Sequence, residues 1–327
     1  VLGTLYRRLG ELWFARDHFT KIVKEPLRHG HRSLLAQAYN GLGIVSFLEG
    51  EFAEARQIFG RAIEALGNTD DPLVRGSIDV NLATIATLQG QMRESVALFE
   101  SALPQLQRAR NPRLIVNAHS NLGYCLLRLG EMRRAEAVLQ DSLAQARACE
   151  ALLIEASTLE TLSELHFSQG NFVEADAIMA QSLNLLQNIR AGFNHAMALL
   201  TAGRGAMLAG KAERAIHCFR ESLEICERMG DPRGRAAAQL CLIEGHLAAN
   251  DVAAAQQLLS TVTAEVERLD TTNLVGHLRE VSGLVALAAG FGSLMPSALA
   301  TRAEGGEAQA SSVQAPLSAS SSMRHLT

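Results

Sequence analysis

Seven turn signals stand 40 residues apart: Gly10-Glu11, Gly50-Glu51, Gly90-Gln91, Gly130-Glu131, Gly170-Asn171, Gly210-Lys211 and Asn250-Asp251. An eighth, Gly290, keeps the interval. A period held this strictly means one supersecondary unit stacked on itself, each unit unable to bury its apolar face alone. Stacked units form long, shallow binding surfaces more readily than closed catalytic pockets. The period therefore restricts the architecture to a linear array and points to a protein that holds something.

Each unit reads as two amphipathic helices around the turn glycine. In the second unit Leu34, Leu35, Ala38, Tyr39, Leu42, Val45 and Leu48 recur at helical spacing, and Gly50-Glu51 interrupts them. Phe52, Ala55, Ile58, Phe59, Ala62, Ile63 and Leu66 then resume the same period. The glycine suits a helix C-terminus in the left-handed conformation, and the acidic or amide residue after it suits the next helix's first turn. Between units, Asp71-Pro72, Asn111-Pro112 and Asp231-Pro232 again stand at multiples of 40. An Asx N-cap followed by proline at the first helical position marks a helix start. Pro104, late in the second helix of the third unit, is expected to end or kink it.

Composition agrees with an almost wholly helical chain. Of 327 residues 48% are apolar and 20% charged, with only seven prolines and three tyrosines, so core material is ample. A formal net charge of −4 gives no basic footprint for nucleic acid. Five cysteines, Cys125, Cys149, Cys218, Cys226 and Cys241, form no CxxC pair and read as reduced core residues of a cytoplasmic protein. Leu2-Gly3 matches the middle of later repeats, so the sequence begins partway into its first unit. A piece of a longer protein, or a gene with a misplaced start, would read this way. After Gly290 the pattern fails, and an Ala/Ser/Gly/Glu-rich tail over 291–327 is expected to be disordered. Val281–Ala300 carries no charge, but its glycines, Pro296 and its repeat register favour a final capping helix over a membrane span.

Five recurring positions carry a family resemblance. Seven residues before the turn stands a small residue, Gly3, Gly43, Ala83, Gly123, Gly203 and Gly283, usually preceded by leucine, as at Leu42 and Leu122. Five after the turn come Ala15, Ala55, Ala135, Ala175, Ala215 and Ala255. Four further on come Phe19, Phe59, Phe99, Leu139, Met179, Phe219 and Leu259. The order resembles the tetratricopeptide repeat over about residues 1–290, in the long-helix form of kinesin light chains, Leu-Gly-Asn-repeat adaptors and bacterial regulators. Ser163, Ile243 and Ser95 depart from it, as does the 40-residue period. A HEAT or armadillo array has a similar period but lacks this residue order. The resemblance implies an all-α, right-handed α-solenoid of about seven helix-turn-helix repeats with a C-terminal capping helix. Small residues would let paired helices approach while large ones fill the gap between units.

Catalytic signatures are missing: the chain has no P-loop, GxSxG or HExxH, and no GxGxxG between a strand and a helix, so it reads as no enzyme and as needing no cofactor. His29-Gly30-His31 lies in an inter-repeat loop without an acidic or Cys partner at ligand spacing and reads as a solvated loop, not a metal site. His166 and His246 read as satisfied core histidines. By the resemblance, the inner face of the first helices lines a concave groove. There Asn81 and Asn121 sit in Asn-Leu-Ala and Asn-Leu-Gly, similar to the asparagine ladder by which the long-helix subfamilies grip a peptide backbone. A carboxamide suits that task because it donates and accepts at once; the alternative is that each asparagine caps or braces its neighbour. No cation flanks these asparagines, so a carboxylate clamp is not indicated.

Six residues before the turn the row runs Ile44, Thr84, Tyr124, Glu164, Arg204, Glu244, with Glu160 one turn before Glu164 on the same face. The alternating charges read equally as an inter-repeat ion-pair ladder or a charged partner site. Phe47, Phe167, Met207 and Leu247 read either as apolar anchors or as packing onto the next helix. The expected function is a protein-interaction scaffold. Asn81, Asn117, Asn121 and Tyr124 would hold a peptide or helix backbone, and Glu160, Glu164, Arg204 and Glu244 would select a partner with basic residues. No direct nucleic-acid or membrane partner is expected. The alternative, suggested by the mid-helix start and the Ala/Arg/Leu-rich composition, is the sensory arm of a bacterial transcription activator, kinase or cyclase.

Overall fold

The computed structural model describes residues 2–24, 31–269 and 272–290, which form fifteen α-helices with no strand among the described residues. First helices of the repeats are α1 (Leu2–Arg8), α3 (Arg32–Leu48), α5 (Pro72–Leu88), α7 (Pro112–Arg128), α9 (Leu152–Ser168), α11 (Gly192–Leu208), α13 (Pro232–Ala248) and α15 (Thr272–Gly290). Second helices are α2 (Leu12–Lys24), α4 (Phe52–Leu66), α6 (Met92–Arg108), α8 (Met132–Ala148), α10 (Phe172–Asn188), α12 (Ala212–Met229) and α14 (Val252–Leu269). The chain divides into two compact units at Thr158 and Leu159, inside α9.

In the first unit α1 packs on α2, α3 on α4, α5 on α6 and α7 on α8, while each of α2, α4 and α6 also packs on the first helix that follows. In the second, α10 to α15 pack each on the next, and α13 touches both α11 and α15. Each unit is thus a stack of helix pairs, the packing of an α-solenoid, with first helices side by side. The segment 291–327 and the histidine pair's His29 lie outside the described residues.

The repeated turn is built from the backbone. At Gly50, φ is +87°, the Gly50 N–H donates to the Phe47 carbonyl at 3.1 Å, and the Glu51 N–H to the Ser46 carbonyl at 2.9 Å. That closes the helix in the left-handed conformation which costs glycine least. Asn250 takes the same role at φ +60°. At helix starts, the Val74, Leu114 and Gly234 N–H groups donate at 3.1 Å to the side chains of Asp71, Asn111 and Asp231. The Asx-Pro marks are therefore working N-caps.

The structure corrects the expectation at Pro104 and adds two features that the sequence did not announce. The residues after the turn glycines, Glu51, Gln91, Glu131 and Asn171, occupy N-cap positions but make no side-chain cap. Gln91 and Glu131 instead accept from Arg56, at 3.1 Å, and Arg134. Pro104 does not end α6, which runs on to Arg108. Pro104 is exposed, so the carbonyl it leaves unpaired, that of Glu100, can be satisfied by water. Finally, the inter-repeat turns use left-handed residues that are not glycine: Arg110, Glu150 and Arg190 have φ of +53°, +52° and +55°, where a later repeat has Gly230 at +65°.

The small positions let the paired helices approach as the resemblance implied, but the large residue of each repeat fills the space against the small one of its own pair. A Cβ built on Gly43 would stand 2.5 Å from the Phe59 ring, on Gly123 2.5 Å from Leu139, and on Gly203 2.2 Å from Phe219. Side-chain carbons in contact lie about 3.5–4.0 Å apart, so only a hydrogen fits at these three positions.

Candidate binding faces on the first helices

In the first unit the carboxamides form two pairs. On α5, Asn81 is only 4% exposed, and its Nδ2 donates to Asn40 Oδ1 on α3 at 2.8 Å. Its own Oδ1 is buried without a hydrogen-bond partner. On α7, Asn121 Nδ2 donates to the Asn117 carbonyl at 2.9 Å and to Asn117 Oδ1 at 3.0 Å. Asn117 and Tyr124 are buried, and Asn121 is half-buried. Asn40 was missed by sequence reasoning, although its place 41 residues before Asn81 was a legible signal.

In the second unit polar contacts cross the seams between successive first helices. Thr201 on α11 donates its hydroxyl to Glu160 Oε1 on α9 at 2.6 Å. Arg204 on α11 donates to Cys241 Sγ on α13 at 3.5 Å. His277 Nε2 on α15 lies 3.0 Å from Glu244 Oε1 on α13. The sequence placed Glu160, Arg204 and Glu244 on this face but gave no sign of Thr201 or His277 as their partners.

Burial distinguishes the two glutamates one turn apart. Glu164 is half-buried, whereas Glu160 is 6% exposed. Loss of solvent pushes the Glu160 carboxyl up to about 7; the Glu164 charge adds to this, and the Thr201 hydroxyl and Arg204 oppose it. Glu160 therefore holds its proton more tightly than an exposed carboxyl does. Arg204 is held above its ordinary value by Cys241, then by Glu244 and Glu164. Burial raises the Cys241 thiol to about 11, so near pH 7 it is neutral, and the two carboxylates supply the attraction. The row of alternating charges is thus electrostatically joined.

Other sequence assignments resolve toward packing. Phe47 and Phe167 are 3% and 4% exposed, and the Phe167 ring fills the space beside Gly205, where a Cβ would stand 2.3 Å away. Met207 and Leu247 pack partly buried against the second unit's core. The histidines are not fully satisfied as expected: His166 Nδ1 is buried without a hydrogen-bond partner. His246 Nδ1 lies 3.3 Å from Asp251 Oδ2 but out of hydrogen-bonding geometry. All five cysteines are free, with Cys149 and Cys218 half-buried instead of in the core. No helix among the described residues is long and apolar enough to cross a membrane.

Residues 75–148, covering most of the α5–α8 stack, match the tetratricopeptide repeat family model. The chain carries tetratricopeptide repeats. Regulatory protein AfsR of Streptomyces griseus is 36% identical over 83 residues, a stretch that is 25% of this chain and 8% of that protein. The repeat array thus spans a small part of that relative's length. Among solved structures, a Rap protein complexed with competence and sporulation factor superposes with a TM-score of 0.62 at 16% identity, covering 88% of this chain and 84% of that one. A signal-transduction ATPase with numerous domains and a tetratricopeptide repeat sensor, from Pyrococcus horikoshii, superposes at 0.57 with 12% identity, over 89% of this chain and 47% of that one. At such identities the likeness establishes the repeat fold alone.

Proposed function

We propose that the array is a protein-interaction scaffold whose first-helix faces hold a segment of a partner. In the first unit the carboxamides of Asn40, Asn81, Asn117 and Asn121 beside Tyr124 offer donors and acceptors suited to a peptide backbone. The observation that carries this reading is Asn81 Oδ1, a buried acceptor left without a donor. Such a group ordinarily costs about 1–3 kcal/mol unless something satisfies it. In the second unit the half-buried Glu164 and Glu244 flank Arg204, and this face would select a partner by charge, favouring basic residues. A second reading, in which the array is the sensory arm of a larger signalling protein, is favoured by the matched stretch of AfsR and by the repeat sensor of the Pyrococcus horikoshii ATPase. The two readings are compatible, since a sensory arm also works by holding a partner.

The test is selection of peptides from a random display library on the immobilised protein, followed by fluorescence anisotropy of the enriched sequences. Asn121→Ala and Glu164→Lys should each weaken binding about tenfold, the loss of one charge-assisted or bidentate contact, with the helical circular dichroism unchanged. Equal affinity for both variants would remove the first-helix faces from the reading.

A further inference from the structure

The seam between α9 and α11 holds a buried carboxylate with a weak set of neighbours. Glu160 is 6% exposed, and across the seam it receives one hydroxyl, that of Thr201 at 2.6 Å. On its own helix the next charged group one turn along is another carboxylate, Glu164. The cation acting on it, Arg204 of α11, is also drawn to Glu164 and to Glu244 of α13, and donates to Cys241. Glu244 in turn faces His277 of α15. A neutral carboxyl is at ease here, because it accepts from Thr201 and needs no counter-ion. An ionised one is not: it is dehydrated, sits beside a like charge and shares its cation.

We propose that Glu160 makes the α9–α11 seam of the second unit a pH-sensitive joint, closed while its carboxyl carries a proton and opened when Glu160 and Glu164 are both ionised. Opening lets water reach Glu160 and breaks the Thr201 contact. The joint operates whether or not a partner occupies the face. A group held near 7 when buried returns to its ordinary value once hydrated. The open fraction should therefore rise roughly thirtyfold between pH 5.5 and 8.5, because the open seam releases the proton that the closed seam keeps.

Hydrogen exchange by mass spectrometry on the whole chain tests this, with rates corrected for the intrinsic pH dependence of exchange. Amides of 159–168 and 192–208 should open about thirtyfold more often at the higher pH, while α3 and α4 of the first unit serve as the internal reference. Glu160→Gln keeps an acceptor for Thr201 and cannot ionise, so its exchange there should be flat with pH. Glu164→Gln removes the like charge while leaving Glu160 in place, which brings the buried carboxyl nearer its ordinary value, so its rise in opening should be smaller and should level off at lower pH. Flat exchange in the unaltered protein, or an undiminished rise in Glu160→Gln, overturns the proposal. Should Glu160→Gln fail to fold, an unshifted profile in Glu164→Gln overturns it equally.

Discussion

Alanine in place of glycine has opposite effects at two helical positions of this chain, and the structure gives the sign at each. At Gly203, in the middle of α11, a Cβ would stand 2.2 Å from Phe219 Cε1 and 2.7 Å from two further ring carbons. Against an ordinary contact near 3.5 Å, that is an overlap of more than about 1 Å. Phe219 is 0% exposed and cannot swing into solvent, so α11 and α12 must move apart. Overpacking of this kind costs about 1–3 kcal/mol, set against a gain of up to about 1 kcal/mol from the better helix former. A net loss of about 2 kcal/mol follows from the depth of the overlap, or roughly 6 °C in melting temperature. The third repeat has Ala83 and Phe99 at the equivalent positions, both buried, so alanine is compatible with a pair assembled around it; the cost at 203 is that of re-spacing a pair closed around hydrogen. At Gly60 on α4 nothing lies within 4 Å of the added carbon. There only the propensity gain remains, about 0.5–1 kcal/mol, or a rise of roughly 2–3 °C. Melting followed by circular dichroism reads both variants, and hydrogen exchange over α11 and α12 assigns the loss to that pair, since linear arrays need not unfold all at once. The reasoning fails if Gly203→Ala melts at or above the parent, or if both substitutions shift the melt in the same direction.

Two further outcomes are expected. Arg110→Gly, Glu150→Gly and Arg190→Gly should each raise the melting temperature by roughly 1–3 °C, because left-handed backbone costs a side-chain-bearing residue about 1 kcal/mol, partly offset by glycine's freedom when unfolded; a fall at all three would show that these residues carry packing the backbone angles do not reveal. Asp79 is 2% exposed, and burial raises its carboxyl above the ordinary value despite Arg75 at 3.2 Å and Ser101. A raised acid binds its proton more tightly folded than unfolded, so its neutral form favours the fold and that advantage is lost as pH rises through the raised value. Asp79→Asn should therefore flatten the decline in stability on leaving the acid range, read as denaturant midpoints across pH, and an unchanged slope would assign the decline to other groups.

The repeat period, the helix boundaries and the rows of small and large residues were legible in the sequence because each depends on spacing along the chain, whereas the meeting of Gly43 with Phe59 or Gly203 with Phe219 came from the structure. Turn chemistry was legible where a residue type has one cheap backbone conformation, as at Gly50, and not where fold context forces one on Arg110, Glu150 or Arg190. Helix endings were over-read at Pro104, because the cost of a missing donor depends on whether the orphaned carbonyl faces water.

By itself, then, the sequence determined a helix-pair array and which rows of residues share a face, since a fixed 40-residue step and the helical period put equivalent positions in register. The tertiary structure decided what those rows do. It paired Asn81 with Asn40, placed Thr201 over Glu160, and divided two glutamates one turn apart into one buried carboxyl whose proton is held more tightly by burial and one half-buried carboxyl. Burial and contacts across a seam depend on how closely neighbouring helices stack, and the volumes of residues 40 positions apart set that distance only once they are brought together.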